Sequence, residues 1–276
     1  MQYRHFGSTG VLVPVIGQGT WELERDPRSA VAALRRGIDL GMTHIDTAEM
    51  YGSGRVEEIV GQAIAGRRDE VFVATKVLPS NATRRGTIEA CERSLRRLGT
   101  DRIDFYLLHY PSRYPLRDTI AGFQELVAAG KIRAWGVSNF DEDELETAEA
   151  LGAPGSVACD QVLYHLQERS VEHEVLPACE RLGAALVAYS PFGQGKFPSG
   201  NPVLGKLARA RGVTPSEIAL AWLVRHPVAF AIPKAVRLEH VEANARAGDL
   251  VLDAEEVEAI EEAFPLAKPR RGVPTL

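Results

Sequence analysis

VFVATKVLPSNATRRGTIEACERSLRRLGTDRIDFYLLHY, residues 71–110, reads as a strand, an amphipathic helix and a second strand. The unit recurs along the chain. Strands are expected at 15–18, 43–46, 71–75, 103–108, 132–137, 157–160, 185–188 and 229–232, with helices such as 29–40, 56–64, 84–98 and 118–129 between them. Asp141 ahead of EDELETAEAL and Thr214-Pro215 ahead of SEIALAWLVR supply helix starts. A hairpin comes first, 3–6 and 11–13 around the turn residues 7–10. Eight strands in βα order with short connections favour a closed parallel barrel. An open doubly wound sheet would carry a GxGxxG turn after its first strand, and none is there. The expected fold is α/β: one (β/α)8 TIM barrel over residues 1–276 with an N-terminal β-hairpin.

Composition narrows the function. The 276 residues suit one such barrel. Acidic side chains outnumber basic ones by 37 to 32, which argues against a surface that tracks nucleic-acid phosphates. Nowhere do eighteen uncharged apolar residues run together, so no membrane span is expected, and the start MQYRHFGSTGVLVPVIGQGT lacks the apolar core of a signal peptide. Cys91, Cys159 and Cys179 are widely spaced and odd in number. They suggest neither a disulfide framework nor a metal site; buried thiols in a reducing cytoplasm are the expectation.

Barrel enzymes place their chemistry at the carboxyl ends of the strands. Those positions hold Asp46, Lys76, His109, Ser138-Asn139, Gln161, Tyr189-Ser190 and Lys234. Any one alone reads equally well as a rim residue; seven in succession predict a polar pocket. A tyrosine phenol titrates near pH 10 and gives up its proton reluctantly at neutrality. A nearby cation favours the phenolate, and Lys76 can supply it for Tyr51, with Asp46 keeping the lysine charged. His109 can hydrogen-bond a substrate oxygen. Together these make an electrophilic hole for a carbonyl oxygen that lacks a side-chain nucleophile; a hydride from a bound cofactor would serve. Asp104, mid-strand, is read as structural, and His44 as packed.

At these residues the chain resembles the aldo-keto reductase family. GMTHIDTAEMYGSGRVEEIVG (41–61) is similar to its first signature, IDFYLLHYP (103–111) to its second and AIPKAVRLEHVEAN (231–244) to its third, with VFVATK and GVSNF between. The resemblance implies NADP(H)-dependent reduction of aldehydes and ketones, with NAD(H) as the second candidate cofactor and a monomer as the assembly. It implies Asp46, Tyr51, Lys76 and His109 as the catalytic tetrad, Tyr51 being the general acid. Ser138, Asn139 and Gln161 match the residues that bind the nicotinamide carboxamide, and Tyr189 the ring it stacks on. The loop 190–195, with Ser190, Pro191, Phe192 and Gly193 on it, matches the pyrophosphate crossing. Lys234 matches the cation at the 2′-phosphate site, where Arg237 adds a second cation in the same turn, and Asn244 matches the adenine site, while Gly19, Thr20 and Trp21 match the rim beside the nicotinamide.

Two departures carry consequences. Many members have serine after the lysine of the third signature and arginine later; here they are Ala235 and His240. An imidazole is a poorer phosphate partner than guanidinium, so the expected NADPH preference is weaker and more pH-dependent near neutrality. Asn139 follows His109 by only thirty residues and the tail PRRGVPTL is brief. A short rim implies an open pocket, lined on this reading by Trp21, Glu49, Leu78, Tyr110 and Phe140, and suited to small or varied carbonyls including dicarbonyls.

Two other readings stay open. A cofactor-binding regulatory subunit with little turnover would also keep the tetrad. A Schiff-base lyase on Lys76 would need that amine deprotonated, which Asp46 disfavours.

Overall fold

Phe6, at the end of the first hairpin strand, forms the floor of the molecule. A computed structural model describes residues 1–269 and 271–276; Arg270, within the expected tail, lies outside the described residues. Strands β1 (Tyr3–His5) and β2 (Leu12–Pro14) pair antiparallel around a tight turn at Gly7–Thr9. The buried ring of Phe6 has its centroid 5.0 Å from Phe105, 5.1 Å from both Phe72 and Phe230, and 5.6 Å from His44. These rings close the barrel at the end opposite the expected chemistry.

Eight parallel strands follow in chain order: β3 (Gln18–Gly19), β4 (His44–Asp46), β5 (Phe72–Val77), β6 (Ile103–Leu108), β7 (Ile132–Ser138), β8 (Val157–Leu163), β9 (Ala185–Tyr189) and β10 (Ala229–Ala231). The first and last meet through a parallel bridge between Ile16 and Ala231, with Gly17 N donating to Ala231 O at 2.8 Å and Ala231 N to Val15 O at 2.9 Å. The expected (β/α)8 barrel with its hairpin is therefore observed. The first barrel strand is the main shift: expected at 15–18, its regular ladder is confined to Gln18–Gly19 and the preceding residues form the seam.

The outer ring is α1 (Pro27–Asp39), α2 (Arg55–Ile64), α3 (Arg84–Leu98), α4 (Leu116–Ala128), α5 (Glu142–Leu151), α6 (Val175–Leu182), α7 (Pro202–Arg211), α8 (Pro215–Leu223), α9 (Leu238–Ala247) and α10 (Ala254–Ala263). Asp141 and Thr214 each close a capping box with the glutamate three residues on.

Side-chain alternation along the strands separates two apolar clusters and places the site. Phe72 and Ala74, Phe105 and Leu107, Ala185 and Val187, and Phe230 and Ile232 fill the barrel interior. Val73 and Val77, Tyr106 and Leu108, and Leu186 and Ala188 face the helices. Gly136 is required by this packing: a Cβ there would meet Cys159 O at 2.5 Å and Phe105 Cζ at 2.7 Å. Continuing the inward set upward by two residues reaches Lys76, His109, Ser138, Gln161 and Tyr189. Asp104, on the outer parity, accepts from Arg68 at 2.7 Å and from Val73 N at 2.9 Å, a structural role. His44 is buried among aromatic rings, and burial pulls its pKa down to about 4. All three cysteines are buried.

Candidate active site

Asp46 ends β4 and Lys76 stands one residue before the end of β5, both pointing into the barrel and shut off from water. Lys76 Nζ donates to Asp46 at 2.6 Å and to Thr47 O at 2.9 Å, and it reaches Tyr51 Oη at 3.5 Å. The other Asp46 oxygen accepts from Gln161 Nε2 at 2.8 Å. Burial alone would depress the lysine's pKa; Asp46 and then Tyr51 outweigh it and hold the amine above its usual range. Lys76 is thus a fixed cation rather than a free amine, which removes the basis for Schiff-base chemistry.

Tyr51 sits on the loop leaving β4, its ring 5.7 Å from that of His109 and edge-on to it. The expectation that Lys76 lowers the phenol's pKa is only half met. Burial raises it, Lys76 opposes with the expected sign, and the net position is above the ordinary value. The phenol therefore carries its proton at neutral pH, the state a donor must be in. His109 is taken by burial and then by Lys76 down to about 2, so it is neutral. Its Nδ1 is buried without a hydrogen-bond partner among the described residues.

A second network adjoins the first. Asn139 is held in a left-handed conformation (φ 64°). Its Nδ2 donates to His109 O and to Ser138 Oγ, each at 3.0 Å, and its Oδ1 accepts from Tyr189 Oη at 2.8 Å. Ser138 Oγ donates in turn to Gln161 O at 2.7 Å. The tetrad and the strand-end amides are one continuous hydrogen-bonded set, linked through Gln161 and Asn139.

These residues open on a cleft of about 420 Å³, lined also by Gly19, Thr20, Trp21, Tyr110, Ser190, Pro191 and Lys234. Sequence reading missed Met50, Ile232 and Leu276 in its wall, while Gln194 belongs to the expected loop 190–195. Ile232 carried a signal, since it continues the inward parity of Phe230; the others lie on loops, where no periodicity speaks.

Three expected pocket residues are corrected. Glu49 is buried and turned away from the cleft, accepting from Leu78 N at 2.8 Å and Asn81 Nδ2 at 2.9 Å. Leu78 lies at that same junction, outside the lining. Phe140 is buried behind the site and faces a separate 250 Å³ hollow with Leu108 and Tyr114.

The expected cofactor loop and third signature divide similarly. Ser190, Gly193, Gln194 and Gly195 all have positive φ, the conformation by which short loops turn amides toward an anion. Phe192 does not line the cleft, nor does Gly193; the Phe192 ring packs at 5.3 Å on Phe197 and pins the loop. Lys234 is exposed at the cleft and makes no ion pair among the described residues. Arg237 and His240 stand exposed beyond it, at 3.6 and 3.9 Å from Glu239, and Asn244 is buried on α9. Glu239 is a competing negative charge that the sequence reading did not weigh.

Asp160, next to Gln161 on the helix-facing side of β8, was also overlooked. It is fully buried, and neither carboxyl oxygen has a hydrogen-bond partner of good geometry among the described residues. Burial raises its pKa well above the ordinary value; the nearby amides of Phe140 and Gln161 oppose this, and the carboxylates of Glu144 and Asp141 add to it. A raised folded pKa means that the group's contribution is fully present below about pH 4 and is lost as pH rises. Asp160→Asn is expected to gain stability over the parent by up to about 1.4 kcal/mol per pH unit above that point. Urea unfolding at pH 5, 6 and 7 checks the slope; a difference flat with pH means that Asp160 is ionised in the fold.

The sequence pattern of the Aldo/keto reductase family matches residues 15–264. Methylglyoxal reductase YeaE of Escherichia coli (strain K12) is 42% identical over 268 residues, covering 95% of this chain and 94% of that protein. Glyoxal reductase of Bacillus subtilis (strain 168) is 33% identical over 256 residues, covering 91% and 89%. Among solved structures, an aldo/keto reductase from Klebsiella pneumoniae in complex with NADP and acetate superposes with a TM-score of 0.94 at 42% identity over the whole of both chains. With the pattern spanning most of the barrel and the fold matching over its full length, this chain belongs to the aldo/keto reductase family.

Proposed function

We propose that the protein reduces small aldehydes and ketones, α-dicarbonyls among them, with NADPH as hydride source and Tyr51 as proton donor. The observation that carries this reading is the buried chain from Asp46 through Lys76 to a protonated Tyr51, facing a neutral His109 at the cleft floor. The donor set suits a nicotinamide. Gln161 uses Nε2 on Asp46 and keeps Oε1 for a carboxamide, Ser138 and Asn139 flank it, and Tyr189 is anchored to Asn139 with its ring at the cleft. Lys234 and the loop of left-handed residues suit phosphates. Two similar proteins are named for methylglyoxal and glyoxal, and the similar Klebsiella structure holds NADP.

When bound, the reduced nicotinamide supplies a hydride to the carbonyl carbon. Tyr51 gives its proton to the carbonyl oxygen, and Lys76 stabilises the phenolate left behind. Asp46 keeps Lys76 charged. His109, being neutral, orients the oxygen by hydrogen bonding instead of competing as an acid.

The test follows reduced-nicotinamide absorbance with NADPH and, separately, NADH over a panel including methylglyoxal and glyoxal. Turnover with NADPH supports the proposal. Tight NADPH binding without turnover on any carbonyl would move the reading to a cofactor-binding regulatory subunit.

A further inference from the structure

We infer that Glu49 is a positioning residue: it fixes the loop carrying Tyr51 against the strand carrying Lys76 and so sets the spacing between them. The inference rests on the reductase reading of Tyr51. Residues 47–51 leave β4 and run alongside the end of β5. Thr47 N donates to Ala74 O at 2.9 Å, and Glu49 N donates to Lys76 O at 3.3 Å. The Glu49 side chain then turns away from the cleft and takes two donors from the far side of Lys76, the amide of Leu78 at 2.8 Å and Asn81 Nδ2 at 2.9 Å. Its second oxygen faces Arg93 Nη2 of α3 at 3.8 Å.

Glu49 thus grips the Lys76 segment on both sides, at the carbonyl of Lys76 and at the amide two residues on, while standing two residues before Tyr51. Beyond it, Tyr51 N bonds within the loop, to Ala48 O at 3.1 Å. The contact it governs, 3.5 Å between Lys76 Nζ and Tyr51 Oη, is at the outer edge of a hydrogen bond. A small added separation there removes most of the interaction, and misplacement by about 1 Å at reacting groups costs up to about 10²-fold in rate. A carboxylate accepting two N–H bonds is a strong fastening for such a joint. Alanine would leave Leu78 N and Asn81 without their acceptor.

The experiment uses the full chain with Glu49→Ala, Glu49→Gln and Tyr51→Phe. It measures kcat and KM from pH 6 to 11.5, a range that reaches the raised phenol, together with NADPH affinity and melting temperature. Glu49→Ala is expected to lower kcat about 30-fold, within the range that displacement alone produces. KM and NADPH Kd should stay within about threefold, since the residue lies outside the cleft. The alkaline limb of the kcat profile should move to higher pH, because a more distant Lys76 favours the phenolate less. Glu49→Gln keeps an acceptor oxygen for both donors and should restore kcat to within about threefold.

Glu49→Ala with parental kcat and an unmoved alkaline limb overturns the inference, as does a fall in melting temperature with the limb unmoved, which marks plain structural loss. If Glu49→Ala does not fold, Asn81→Ala replaces it, with a smaller loss of kcat and the same direction of shift expected; an unmoved limb there overturns the inference too. Tyr51→Phe separates the two readings: retention of its turnover sinks the reductase mechanism, whereas its collapse beside an unaffected Glu49→Ala sinks only the role given to Glu49.

Discussion

Replacing Tyr51 by Phe is expected to lower kcat/KM for any carbonyl about 10²- to 10⁴-fold while leaving NADPH affinity unchanged. The substitution deletes one oxygen and keeps the ring, so the edge-on contact with His109 and the cation above the ring survive. Lys76 loses its most distant hydrogen-bond partner but keeps Asp46 and Thr47 O, so the buried charge stays paired. What disappears is the donated proton, which corresponds to about 3–5 kcal/mol of transition-state stabilisation. Neutral His109, with its pKa near 2, has no acidic proton to offer in place of the phenol's. Steady-state kinetics beside a fluorescence titration of NADPH gives the answer. Turnover within threefold of the parent would mean that another group supplies the proton.

Lys76→Met has a double consequence, because the same ammonium serves the fold and the phenol. Methionine fills similar volume but leaves the Asp46 carboxylate buried with Gln161 as its one remaining side-chain partner among the described residues. An uncompensated buried charge costs about 3–5 kcal/mol, on the order of 10 °C in melting temperature for a chain of this length. Adding Asp46→Asn removes that charge, and most of the stability should return. Activity should not return, since the cation that steadies the phenolate is still missing. Thermal unfolding and kinetics of the single and double variants separate the two effects. A double variant that recovers turnover would show that the charge is not needed for proton transfer, and one that recovers neither would place the damage in packing.

The barrel was legible because strand parity is a property of sequence. Once residues 71–110 are read as strand, helix and strand, counting in twos from Phe72 or Phe105 arrives at Lys76 or His109, and the helix on each outer face follows from its own period. Parity fails where the backbone leaves the ladder. Glu49 and Leu78 lie on loops beyond strand ends, and nothing local says that one turns back to accept the other's amide. Phe140 follows the left-handed Asn139, so the chain reverses there and sends an expected pocket residue behind the wall. Asp160 is different: one step off Gln161, it had to face the helices, and a carboxylate on that face of the strand VACDQVL was a visible anomaly.

The aromatic floor bears on the order in which the molecule assembles. Phe6 precedes its ring partners in the chain by long stretches, since they stand at positions 72, 105 and 230. The seam strand is equally late, because Val15 and Gly17 wait for Ala231. Both closures span most of the chain, and contacts so distant in sequence form slowly, after most of the conformational entropy has been lost. A nascent chain stalled before Phe230 therefore holds an unsealed cylinder with an apolar interior and two strand edges exposed. Such an intermediate is prone to self-association, and the hairpin acts as a latch that shuts when the last strand arrives.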